Sequence, residues 1–236
     1  ARHGVVIYNG VQGTQVGGTG TGQGNIIAGN LNSGVVIDGN AVSTTSGNVV
    51  VANYIGLNAT LGNGAHGVHI FGGAQGNTIG GATASERNVI SGNAGSGIYV
   101  SGSGTDGNTL QGNYIGTDAA GSADLGNTAS GIYIGSAAAT TIDGNLISGN
   151  TFAGVYLNNA DRTVLGYNFI GVDETGGSAV PNEFGIEVVG SRQTRIGLTV
   201  PLPGGPAPTR VLHANLIAGK QASAETDGIP SNVIDR

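Results

Sequence analysis

Apolar residues in this chain fall in short, evenly spaced groups, and none of the groups shows the three-to-four spacing of a helix. One phrase, Gly-[Val/Ile]-x-[Ile/Val/Leu], occurs at 4–7, 34–37, 67–70, 97–100, 131–134, 154–157 and 185–188. The Asp-Gly-Ile ending at Ile229 reads as the opening of an eighth copy. A second phrase, Asn-apolar-Ile, begins at Asn25, Asn53, Asn88, Asn113, Asn145, Asn168 and Asn215. Between the two lies a weaker apolar position: Val16, Val50, Ile79, Leu110, Ile142, Val164 and Ile196. Side chains alternate faces along a strand, so the two apolar residues that flank the variable position of the first phrase point the same way. Each unit therefore predicts three short strands separated by turns.

Strands this short cannot bury their apolar sides alone. Stacked units can, if each strand pairs in parallel with its equivalent in the next unit. The pattern predicts an all-β fold, a three-sided parallel β-helix of about seven coils plus a partial eighth. It spans 1–236 as a single domain and is expected to be a fragment of a longer repeat protein with end-to-end contact to further repeats. The rows have physical meaning in this arrangement. Val5, Val35, Val68, Ile98, Ile132, Val155 and Ile186 form one inward column, and the seven Asn residues are expected to form an internal hydrogen-bonded ladder. Coils 2, 4 and 6 carry longer loops after the Asn-apolar-Ile phrase, and the Pro-rich stretch 198–214 predicts a loop insertion in coil 7.

Composition narrows the function. The 236 residues include 47 Gly, but they follow no Gly-X-Y period, which excludes collagen. Only 9% of residues are charged and the net charge is −6, which argues against a nucleic-acid partner, since phosphate binding needs a basic face. Cys is absent, so neither disulfides nor thiolate metal sites can form. No apolar run approaches the roughly 20 residues of a membrane span.

The stretches GNTIGG…RNVISGN (76–93) and GNYIGTDAAGSADLGN…GIYI (112–134) resemble the right-handed parallel β-helix repeat proteins of bacterial secreted and cell-surface type, the pectate-lyase-like superfamily. The resemblance implies right-handed winding and an extracellular or cell-surface location. It implies a choice among polysaccharide lyases and hydrolases, adhesin stalks and inactive modules, because fold alone does not fix chemistry. The Asn-Thr-Asp and Asp-Asp signatures that the resemblance associates with hydrolases are missing here.

Three sets of residues are candidates for chemistry. The outward position of the first phrase runs Val6, Val36, His69, Tyr99, Tyr133, Tyr156 and Glu187. Tyr99, Tyr133 and Tyr156, with His69 beside them, form an expected platform for sugar rings or a surface partner. The charge-dense region 161–195 offers Asp161, Arg162, Glu187 and Arg195 as acid, base and cation for an acidic polysaccharide, against the alternative that these are ordinary surface charges. Asp118, Asp173, Asp124 and Glu174, in the long loops, are candidate Ca²⁺ ligands, against the alternative that they only shape turns. A fourth row, Gln15, Val49, Thr78, Thr109, Thr141, Thr163 and Arg195, places four Thr in succession outward on the second strand. The favoured expectation is a non-enzymatic, adhesin-like module that binds glycans or surface partners weakly, without a cofactor. The alternative is a polysaccharide lyase or glycoside hydrolase.

Overall fold

A computed structural model describes residues 2–40, 43–197, 216–217 and 233–234. Three parallel sheets wind into a solenoid. Sheet 1 holds Val5–Ile7, Val35–Asp38, Val68–Phe71, Ile98–Ser101, Ile132–Gly135, Ala153–Asn158 and Phe184–Val189. Sheet 2 holds Gln15–Val16, Val49–Val50, Thr78–Gly80, Thr109–Gln111, Thr141–Asp143, Val164–Gly166, Arg195–Ile196 and Val233–Ile234. Sheet 3 holds Ile26–Ile27, Tyr54–Gly56, Val89–Ser91, Tyr114–Ile115, Leu146–Ile147, Phe169–Ile170 and Leu216–Ile217. Every strand pairs with its equivalent one coil away, as the phrases predicted. Six coils are complete up to Ile170, slightly fewer than the seven recognised in the sequence. The Pro-rich stretch 198–214, Asn215 and Ile229 lie outside the described residues.

The core is the set of inward rows. Val35, Val68, Ile98, Ile132 and Val155 are wholly buried in one column, and Ile37, Ile70, Val100, Ile134 and Leu157 in the next. Each contributes about 1.5–3 kcal/mol by leaving water. The corners contain three Asn ladders rather than the one predicted. Between sheets 2 and 3, Asn25, Asn53, Asn88, Asn113, Asn145 and Asn168 bond side chain to side chain at 2.9–3.1 Å. Between sheet 3 and the next turn of sheet 1, Asn30, Asn63, Asn93, Asn127, Asn150 and Asn182 do the same at 2.8–3.0 Å. Between sheets 1 and 2 a shorter ladder joins Asn48, Asn77 and Asn108 at 3.0 Å. In later coils Thr140, Thr163 and Thr194 take that corner position, each just ahead of a sheet 2 strand. The ladders leave buried amides paired along the axis, which a polar group in a core requires.

One row needs correction. In coil 6 the inward residue of sheet 2 is Leu165, paired with Ile142 and Ile196, and Val164 faces out. Thr163 is buried in the corner, where its hydroxyl donates to the Ala160 carbonyl at 3.0 Å. The outward run is therefore Thr78, Thr109 and Thr141 followed by Val164. Two adjacent apolar residues made both registers compatible with the pattern, and a one-residue shift exchanges the faces.

Candidate functional site

The outward row of sheet 1 runs in register from Val6 through Val36, His69, Tyr99, Tyr133 and Tyr156 to Glu187. Parallel pairing brings these side chains side by side, and the rings pack on one another. His66 stacks on Tyr99 with centroids 4.3 Å apart and planes 16° apart. Tyr99 stacks on Tyr133 at 4.6 Å and 5°. Tyr133 meets Tyr156 edge to face at 5.2 Å. Phe152 and Phe184 extend the cluster beyond Tyr156, and His69 and Phe71 extend it at the other end. The rings of His69, Tyr99, Tyr133 and Tyr156 are half-buried, so each keeps an accessible surface. Val36 in the same row is buried.

Small residues shape this surface. A Cβ on Gly135 would stand 2.5 Å from the Tyr133 ring, so the glycine makes room for the ring to lie over the sheet. A Cβ on Gly95 would stand 2.7 Å from His66 Nδ1. That nitrogen accepts the Ser96 amide at 3.1 Å, which places the proton of the neutral imidazole on Nε2. Burial, then the neighbouring His66 and His3, pull the His69 pKa down from 6.5 to about 4. Burial also lowers that of His66. Both imidazoles are therefore neutral at pH 7. Burial raises the Tyr156 hydroxyl pKa, and the Glu187 charge adds to the effect.

The remaining candidates are dispersed. Glu187 lies on sheet 1 beside Tyr156, whereas Arg195 faces outward on sheet 2 beside Val164. Asp161 and Arg162 occupy the turn between these sheets. Asp161 accepts the Arg192 amide at 2.8 Å, and Arg162 adopts φ 57° in the same turn. Asp118 accepts the Ser122 and Ala123 amides at 2.9 and 3.0 Å. Burial raises its pKa, but these amide bonds outweigh burial and leave it below the ordinary value. Asp173 is held down to about 2 by the Thr175 hydroxyl and by backbone amides of its loop. Asp124 accepts the Gly126 amide at 3.0 Å, and Glu174 accepts the Tyr114 hydroxyl at 2.7 Å. Among the described residues no three His, Asp or Glu side chains converge as a metal site.

Sheet 3 carries a surface that the sequence phrases did not single out. Its outward row is Ile26, Tyr54, Val89, Tyr114, Leu146 and Phe169. The long loops of coils 4 and 6 each close with an antiparallel bridge, Thr117–Asp124 and Val172–Ala179. The coil 4 loop packs over Tyr114 and Leu146, so Tyr114 is buried although it points outward. The coil 6 loop joins it through the Glu174 amide and the Gly121 carbonyl at 3.0 Å. A cleft of about 190 Å³ opens beside these loops, lined by Arg87, Tyr114, Leu146, Tyr167, Phe169 and Glu174 among others. Aligning the residue that precedes each ladder Asn would have found Arg87 and Tyr167. The loop that carries Glu174 back over coil 4 leaves no such signal.

With the solenoid and its surfaces established, the protein can be placed among known ones. A profile described as the right handed beta helix region matches residues 58–197, more than half of the chain. The chain belongs to the right-handed β-helix family. Two solved structures are similar to it, the periplasmic alginate epimerase AlgG and a double mutant of that protein. The first has a TM-score of 0.56 at 17% identity, covering 81% of this chain and 44% of the epimerase. The double mutant has a TM-score of 0.55 at 18% identity, covering 80% and 35%. The chain thus spans less than half the length of these neighbours, and at such identity the likeness is one of fold. No curated protein sequence matches this one. Among the described residues no helix is long and apolar enough to cross a membrane.

Proposed function

We propose that this β-helix is a glycan-contacting module of an extracellular or periplasmic protein, with the sheet 1 ring stripe as its contact surface. The packed run of His66, Tyr99, Tyr133 and Tyr156 carries the reading. The stacked rings cover one another's faces, and the half-exposed tyrosines leave ring edges and hydroxyls as contact surface, which suits the C–H groups and hydroxyls of a pyranose. One ring per coil also gives a saccharide chain laid along the axis a contact at each coil, at roughly 4.8 Å intervals. The fold likeness to a periplasmic alginate epimerase adds support for a polysaccharide-related role. The module acts by contact rather than by catalysis, in keeping with an adhesin-like or spacer role.

Retention on a panel of immobilised neutral and acidic polysaccharides tests this. Wild-type protein is expected to be retarded by at least one of them, and passage through all of them unretarded would overturn the proposal. Glu187 gives the enzymatic reading its one foothold, since it ends the stripe beside Tyr156. Release of unsaturated or reducing ends from an acidic polysaccharide, lost in Glu187→Gln, would replace the binding module with a lyase or hydrolase.

A further inference from the structure

The residue before each Asn of the ladder between sheets 2 and 3 forms a row of its own: Gly24, Ala52, Arg87, Gly112, Gly144 and Tyr167. It is small in four coils and large in two. Gly112 and Gly144, at φ 65° and 62°, put no side chain between the large ones. The result is a notch bounded by Arg87 at coil 3 and Tyr167 at coil 6, about 14 Å apart along the axis at roughly 4.8 Å per coil. The cleft of about 190 Å³ lies here. It is smaller than the roughly 300–1,000 Å³ of sites for drug-sized ligands, and suits a single monosaccharide unit.

The charges in the notch are unequally provided for. The Arg87 guanidinium lies 3.8 Å over the Tyr114 ring, and its Nε is buried without a hydrogen-bond partner. Tyr114 donates its hydroxyl to Glu174 at 2.7 Å. The carboxylate thus has a donor, while the half-buried guanidinium has no acceptor among the described residues. A guanidinium fork matches a carboxylate in two-point geometry. Tyr167 stands at the mouth, partly exposed, at φ 56°, a conformation that is costly for a bulky side chain.

We propose that this notch binds a carboxylate-bearing monosaccharide unit, a uronate. Arg87 takes the sugar carboxylate, Tyr167, Phe169 and Leu146 face the C–H side of the ring, and Glu174 accepts a ring hydroxyl. The site shares no residue with the sheet 1 stripe, so its failure leaves the stripe reading untouched.

Titration of the protein with glucuronate, glucose and acetate, followed by NMR of the tyrosine rings, tests the site. Glucuronate is expected to saturate with a dissociation constant of about 1 mM, typical of a weak ligand of this size. Arg87→Gln should weaken it about ten- to hundredfold. Tyr167→Gly should weaken it too while the protein stays folded, because glycine accepts the positive φ without strain. Glucose binding as tightly as glucuronate would overturn the carboxylate assignment, and acetate doing so would overturn the sugar. Absence of saturation, or unchanged affinity in both variants, would overturn the site.

Discussion

Sheets 1 and 3 both present aromatic side chains outward, yet they hold them differently. On sheet 1 the rings support one another along a single row, with His66 and Phe152 packing in from the turns, and they stay half-exposed. On sheet 3 the loops of coils 4 and 6 fold back over the row, so Tyr114 is buried and tied to Glu174. The stripe repeats with the coil and extends along the axis, as a surface for a chain-like partner would. The sheet 3 site depends on two loops and two large turn residues, and its shape is local. A repeat scaffold can thus build an extended surface from strand positions and a discrete site from its departures from the repeat.

The largest expected effect lies at the corner between sheets 2 and 3. Asn113 accepts from the Asn88 side chain at 2.9 Å, donates to the Ile79 carbonyl at 2.9 Å and donates to Asn145 at 3.0 Å. Asn113→Leu leaves several of these groups unpaired, at about 1–3 kcal/mol each. A loss of about 3–4 kcal/mol, or about 10 °C in melting temperature, is expected by calorimetry. Asn108→Thr, at the corner where Thr already stands in later coils, should cost about 1 kcal/mol. Equal melting of the two variants would mean that the three corners do not differ as described.

A smaller effect tests the roof directly. Tyr114→Ala should cost about 2–3 kcal/mol because it empties a covered position, whereas Tyr133→Ala should cost about 1 kcal/mol. Urea unfolding measures both, and the reverse order would show that the stripe, not the roofed row, belongs to the structural core.

The smallest effect is one of pH. His69 has a folded pKa of about 4, below its ordinary 6.5. Between these values the unfolded chain binds more protons, so the contribution is full above pH 6.5 and is lost as pH falls toward 4. Melting temperature should therefore decline over that interval, and less steeply in His69→Gln. The depressed Asp173 acts lower, its contribution being present above 3.8 and lost as pH falls toward about 2. An identical profile in the His69 variant would remove the imidazole from the buried side of the stripe.

The architecture was legible because strand phrases repeat in register. The Asn-apolar-Ile phrase marked one ladder, and Gly-[Val/Ile]-x-[Ile/Val/Leu] placed Tyr99, Tyr133 and Tyr156 in one outward row, where pairing puts them. The second ladder was present in the sequence as the Asn that ends Ala/Ser-Gly-Asn in odd coils. It was hidden because Asn63, Asn127 and Asn182 lie after longer loops than their equivalents in the odd coils. Val164 and Leu165 are both apolar, so hydrophobicity could not choose between them, and Thr163 was placed on the wrong face. Glu174 drew attention as an acidic loop residue, but its partner Tyr114 is 60 positions away, and only the folded loop reveals the pair.

The account rests most heavily on the sheet 1 stripe being a working surface rather than a stabilising one. The triple replacement of Tyr99, Tyr133 and Tyr156 by Ser, measured for melting and for polysaccharide retention on the same preparation, tests this most directly. The account predicts a folded protein, destabilised by about 1 kcal/mol for each lost ring contact, that is no longer retarded by the polysaccharide that retards wild type. Undiminished retention by a folded triple variant, or collapse of the fold itself, would contradict it.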